Sequence, residues 1–189
     1  MNPIEVLNIL NQHRHDEVVI ATMGSSREWL KMSQHPRDFI YVPSAMGQAP
    51  TLGLGLALAR PDLRIVVLNG DGCMLMNLGC LVTIAEQAPP NYTLVVFNNG
   101  VYEVTGSQPV AGSGRVDFAA MARAVGIRHV SHITDISSCE AFAPRIFQGP
   151  GLEFAVVDVQ PITTGEISPK APCPMSEQLV RFRRAVAAG

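Results

Sequence analysis

Apolar residues in this chain follow two alternating patterns. Short uninterrupted runs, EVVIATMG (17–24), FIYV (39–42), RIVVLNG (64–70), TLVVFN (93–98) and FAVVDV (154–159), predict buried strands, and RHVSHI (128–133) predicts a weaker one. Between them, apolar positions three and four apart predict helices. These cover 3–13 with Ile4, Leu7 and Leu10 on one face, 26–33 with Ser25 or Ser26 as cap, and 47–60 with its small residues. Further helices are expected at 75–88, stopped by Pro89-Pro90, at 117–126 between Asp117 and Gly126, at 136–147, and near 176–187. Strands that read as continuous Val/Ile/Leu runs, each followed by a helix, predict an α/β fold: a doubly wound, mainly parallel sheet with helices on both faces. Right-handed crossovers then bring all the strand ends to one edge, where such folds bind ligands.

Composition narrows the picture. The 189 residues suit one domain spanning 1–189, and 47 % apolar against 16 % charged residues predicts a well-filled core. A net charge of −2 leaves no basic footprint for nucleic acid or an anionic membrane, so a small-molecule substrate is expected. Cys73, Cys80, Cys139 and Cys173 are scattered without metal-ligand spacing and read as small core residues. The first residues turn polar too early for a secretory signal, and no apolar run approaches the ~20 residues of a membrane span. A reduced, cytoplasmic setting is the expectation.

Candidate chemistry concentrates in two short segments. Gly70-Asp71-Gly72 stands at the carboxyl end of the strand 64–70, where the glycines allow another group to approach the backbone. Asn98-Asn99-Gly100 ends the next strand. Each segment alone suits an ordinary tight turn. The 25 residues from 73 to 97, however, amount to one helix and one return strand, so a single crossover carries Asn99 to the edge that holds Asp71. A carboxylate, a carboxamide oxygen and loop carbonyls make a hard-oxygen site suited to Mg²⁺. One carboxylate holds that ion weakly unless a diphosphate supplies further ligands.

The GDG–NN pair at this spacing resembles the cofactor motif of thiamine-diphosphate-dependent enzymes. The text around it, LNGDGCMLMNLGCLVTIAEQAPPNYTLVVFNNGVYEVTGSQ, is similar to the diphosphate-binding domains of the sulfopyruvate and phosphonopyruvate decarboxylase family. GSSREWL, SAMGQAPTLGLGLALA and LVRFRRAV extend the likeness over nearly the whole chain. The resemblance implies thiamine diphosphate and Mg²⁺ as cofactors, with Asp71, the Asn99 side chain and the Val101 carbonyl as metal ligands. Asn98 is then the buttressing neighbour. It implies diphosphate contacts from the backbone around Gly70, Gly72 and Cys73, where Cys73 replaces the family's usual serine. Ser44 would accept from the aminopyrimidine, and Met46 would prop the cofactor into its bent shape.

The resemblance also implies something the chain lacks. In the family, a glutamate on a separate pyrimidine-binding domain activates the cofactor, and no glutamate here matches it. Glu103 lies in the cofactor loop, where relatives tend to have glycine, and Glu28 reads as an ion-pair or interface residue. The activating group is therefore expected on a partner, a pyrimidine-domain alpha subunit in a hetero-oligomer. Apolar surface near Met46 and the 99–116 loop would be exposed, and a homodimer could form when the chain is isolated. The long loop 102–115 is a typical place for function. Thr105, Gly106 and Gln108 match the region that closes over the reacting carbon, while Arg27, Arg37 and Arg115 are the candidate donors to a sulfonate or phosphonate. His35, before Pro36, is a weaker candidate for the same edge. The implied activity is decarboxylation of a 2-oxo acid, 3-sulfopyruvate or 3-phosphonopyruvate, to the aldehyde and CO₂. Acetolactate-type carboligation and a non-catalytic thiamine-diphosphate-binding protein remain open alternatives.

Overall fold

The computed structural model describes residues 1–41, 46–162 and 171–187. Ser44 lies outside them. The chain runs α1 (Pro3–His13), β1 (Val18–Thr22), α2 (Met23–Met32), β2 (Asp38–Tyr41), α3 (Ala49–Ala59) and β3 (Ile65–Gly70). It continues through α4 (Asp71–Met76), α5 (Cys80–Gln87), β4 (Tyr92–Asn98), β5 (Val101–Tyr102), a 3-10 turn (Glu103–Thr105) and β6 (Gln108–Pro109). The last elements are α6 (Phe118–Ala124), β7 (His129–Ile133), α7 (Ile136–Gln148), β8 (Glu153–Asp158) and α8 (Met175–Ala187).

Six strands form one sheet in the order β2-β1-β3-β4-β8-β7, every pair parallel. The expected doubly wound architecture is what the chain adopts. Alternation along each strand divides the core in two. Val18, Ile20, Ile65, Val67, Leu94 and Val96 face one apolar layer, with α3, α5, α6 and α8 packed over it. Val19, Ala21, Val66, Leu68, Val95 and Phe97 face the other, covered by α1, α2 and α7. Since both faces are buried, the strands can be continuously apolar, as parallel sheets require.

α3 lies unusually close to the sheet. A Cβ at Gly53 would collide with Val67 and come within 2.9 Å of the Tyr92 ring, so only glycine permits the approach. The opposite side of the same helix faces outward. Leu52 and Leu58 are exposed there, as are Met76 at the end of α4 and Val82 on α5. Exposed apolar surface was expected near Met46 and in the 99–116 loop. Met76 adjoins Asn77, whose side chain holds Gly47, so exposed apolar surface does stand beside Met46, while Val110 within the loop is buried.

Element ends differ from the sequence pattern in three places. The strand expected to reach Gly24 stops at Thr22, because Met23 adopts φ 55° and begins α2 three residues earlier than its own pattern suggests. Neither Ser25 nor Ser26 caps that helix: their hydroxyls donate to the carbonyls of Thr22 and Met23, respectively. The helix expected over 75–88 is two helices, broken at Asn77, whose φ of −144° is not helical. The loop after Asn98 contains a small antiparallel hairpin, β5 with β6, closed by Tyr102 opposite Gln108.

Among the described residues, no helix is long and apolar enough to cross a membrane.

Candidate functional site

β1 is hydrogen-bonded to β2 on one side and to β3 on the other, so the winding of the chain reverses between β1 and β3. Open α/β sheets bind ligands outside the strand ends at such a reversal. A cleft of about 740 Å³, open to solvent, lies there. Its wall on the β3 side is the turn Asn69–Cys73, its wall on the β1 side is Thr22–Ser25, and Asn99 to Thr105 close it from β4.

Parallel register brings the two motif segments together. Gly70 pairs with Phe97, so Asp71 and Asn98–Asn99 leave adjacent strands at the same height. The Asp71 carboxylate, only 2 % exposed, accepts from the N–H of Gly72 at 2.7 Å through Oδ1 and from the N–H of Gly100 at 2.7 Å through Oδ2. Burial pushes its carboxyl above the ordinary range, against the pull of the Gly100, Gly72 and Asn99 N–H groups. Gly100 reaches Asp71 with φ +75°, a conformation that suits glycine. Asn99 Oδ1 accepts from the N–H of Val101 at 3.0 Å, and Val101 lines the same cleft. Next to it, Asn98 Nδ2 donates to Asp158 Oδ1 at 2.8 Å, and His132 Nε2 meets Asp158 Oδ2 at 2.9 Å. The ends of β4, β8 and β7 are tied together by these two contacts.

Gly72 carries the Tyr102 ring directly against its Cα, so a side chain there would drive the β5–β6 hairpin off the cleft. Cys73 is buried, and its sulfur accepts from the N–H of Gly47. Burial pushes this thiol up, and its side chain serves to tie the Met46–Gly47 segment to α4. The same clasp is reinforced by Asn77 Nδ2, which donates to the Gly47 carbonyl at 3.0 Å. Met46 lines the cleft and is half-buried.

The substrate-side candidates are dispersed. Thr105 lines the cleft, but Gln108 bonds back to Thr105 and does not reach it. Arg115 is exposed in the turn after the hairpin, where its N–H donates to the Gly112 carbonyl, and it does not line the cleft. Arg37 pairs with Asp16 at 2.7 Å, ahead of β1 and β2, and His35 stands 3.5 Å from the same carboxylate. Both therefore lie at the amino edge of the sheet, opposite the cleft. Glu28 is buried between Arg27 and Lys31 as a structural ion pair. Among the described residues, the cleft presents two carboxylates, Asp71 and Glu103, and no Lys, Arg or His.

Sequence reading missed Thr22, Met23, Gly24 and Ser25. Their signal was available: a buried strand ending in Thr-Met-Gly-Ser at the ligand edge. Only the strand order, with β1 beside β3, turns that into a wall of the cleft.

A buried carboxylate with no ion pair among the described residues, beside the Asn99 carboxamide, fits a hard cation. By fold and site, this is an α/β domain of the class that holds a ligand at the strand reversal. The chain matches the model of the thiamine pyrophosphate enzyme C-terminal TPP-binding domain over residues 22–159, and it belongs to that family.

It is 40 % identical over 159 residues to the sulfopyruvate decarboxylase subunit beta of Methanothermobacter thermautotrophicus, covering 84 % of this chain and 82 % of that one. It is 41 % identical over 129 residues to the phosphonopyruvate decarboxylase of Streptomyces viridochromogenes, covering 68 % of this chain but only 32 % of that longer protein. In fold it resembles the 2-oxoglutarate:ferredoxin oxidoreductase of Magnetococcus marinus, with a TM-score of 0.64 and 19 % identity over 86 % of this chain and 64 % of that one.

Proposed function

We propose that this chain is the diphosphate-binding subunit of a thiamine-diphosphate- and Mg²⁺-dependent 2-oxo acid decarboxylase acting on 3-sulfopyruvate or 3-phosphonopyruvate. The observation that carries the reading is the convergence of Asp71 and Asn99 on one switch-point cleft. It is supported by strong identity to a protein named as a beta subunit, along most of the length of both.

In this reading Asp71, Asn99 Oδ1 and the Val101 carbonyl hold the cation. The N–H groups of Gly72 and Cys73, with the Thr22–Ser25 wall, face the diphosphate. When bound, the cofactor supplies the electron sink that 2-oxo acid decarboxylation needs. The chain's own residues bind and orient: the Asp71–Gly100 bond fixes the distance between strands, and Met46 is held in the cleft wall by the Cys73–Gly47 contact. Tyr102 and Val110 pack on Gly72 and would shield the diphosphate end from water. The positive groups that recognise the anionic end of the substrate are assigned to the pyrimidine-domain partner, together with the activating glutamate.

The test is reconstitution. Co-expression with a pyrimidine-domain chain should give a stable complex that releases CO₂ from sulfopyruvate or phosphonopyruvate, and competing the two substrates decides between them. A complex that turns over neither, with cofactor and Mg²⁺ bound, would refute the decarboxylase reading.

A further inference from the structure

Glu103 lines the cleft from the 3-10 turn that follows β5. Its Oε1 accepts from the N–H of Ile162 at 2.6 Å, and a side-chain hydrogen bond joins it to Asn99. Its Oε2 lies against the first turn of α2, so close that a Cβ on Gly24 would fall 2.5 Å from it. The carboxylate is thus inserted between the start of one helix, the amide of Asn99 and the returning chain after β8. Burial pushes this carboxyl above its ordinary range, against the pull of the Ile162 N–H and the Asn99 side chain, and the nearby Asp71 adds to the push.

We propose that Glu103 is an internal anion that occupies part of the diphosphate's place in the free chain, so that cofactor binding requires its displacement. The inference rests on the proposed cofactor site. The Glu103 carboxylate lies against Gly24, in the wall assigned to the diphosphate, so the two anions compete for one space, and a carboxylate left beside a diphosphate and Asp71 is repelled by both. Glu103 is half-buried, and its anchors are one backbone N–H and one carboxamide, contacts that an outward swing into solvent replaces with water. Displacement also releases Ile162, which couples cofactor loading to the segment that follows β8.

The sign of a substitution decides the matter. If Glu103 positions Asn99 or ligates the cation, removing its charge weakens cofactor binding. If it stands in the way, removing its charge strengthens binding. Glu103→Gln keeps an acceptor for Ile162, and Glu103→Ala removes the side chain. Thiamine diphosphate is titrated calorimetrically with Mg²⁺ into the full chain and into the complex with its partner. Both variants are expected to bind roughly tenfold more tightly than the parent, a gain of the size that one small change in binding free energy gives. Inorganic pyrophosphate with Mg²⁺ should show the same gain, and thiamine without phosphate should show none. Should the alanine variant fail to fold, the glutamine variant decides alone. Unchanged or weaker affinity in the variants, with the parent binding normally, overturns the inference and leaves the site assignment standing. Failure of parent and variants alike to bind, in the complex as well, overturns the site assignment and the inference with it.

Discussion

The Asp71 carboxylate reaches across from the end of β3 to the N–H of Gly100 beyond β4, 2.7 Å away. This single bond closes the two halves of the motif on each other before any ligand is present. It also keeps a negative charge in a buried place, which has a measurable consequence. Burial raises the carboxyl's folded pKa above its unfolded value. The stability linked to this group is therefore fully present below the ordinary carboxylate range and is lost as pH rises through the folded value. In metal-free buffer the melting temperature of the parent should fall, relative to that of Asp71→Asn, as pH rises from the acid into the neutral range. The same variant should lose Mg²⁺-dependent cofactor binding, and retained affinity would remove Asp71 from the ligand set.

Asn98 tests whether the strand ends act together. Its bond to Asp158 is part of the tie across β4, β8 and β7. Asn98→Ala should cost about 1 kcal/mol in urea denaturation, the typical worth of one hydrogen bond. It should also weaken cofactor binding, because Asn99 is the next residue. A stability loss without any change in affinity would show that Asn98 supports the sheet alone.

Two glycines on α3 predict opposite outcomes two residues apart. Gly53→Ala inserts a methyl into Val67 and Tyr92 and should destabilise by about 1–3 kcal/mol, the range of overpacked cores. Gly55 is exposed with no atom near its missing Cβ, and Gly55→Ala should stabilise by about 0.5–1 kcal/mol through helix propensity. Thermal melts of the pair decide it, and equal shifts would contradict the close packing of α3 on the sheet.

The thiols should separate by reactivity. Burial raises Cys73 and pushes Cys80 and Cys139 up to about 11, whereas Cys173 is partly exposed. A colourimetric thiol reagent at neutral pH should modify Cys173 quickly and the other three only on unfolding. Rapid modification of Cys73 in the folded chain would show that the Gly47 clasp is open in solution.

The sheet was readable because its strands are buried on both faces, so VVIA, IVVL and LVVF betray themselves as continuous apolar runs. Helix limits were less so. Met23 turns the chain with a positive φ that no sequence pattern marks, and Asn77 breaks a helix whose apolar period runs on. The hairpin of β5 and β6 has two residues per strand, too few to alternate. Asp71, Asn99 and Val101 were visible because a motif and one crossover suffice to join them. Thr22 to Ser25 were not, since their nearness to Asp71 depends on β1 lying beside β3, a long-range pairing that no local window contains. The placement of Arg115 was not legible, because loop membership says nothing about which way the turn at Gly112 and Gly114 carries the chain.

The return from β3 to β4 bends between Ala88 and Asn91, at the rim of the sheet away from the cleft. Residues gained or lost at that bend would leave the two coordinating loops where they are, since parallel pairing of β3 with β4 anchors both. The interval separating the acidic and carboxamide halves thus records how long one helical detour happens to be. A sequence search that insists on this interval would overlook distant cousins whose rear bend has merely lengthened or shortened.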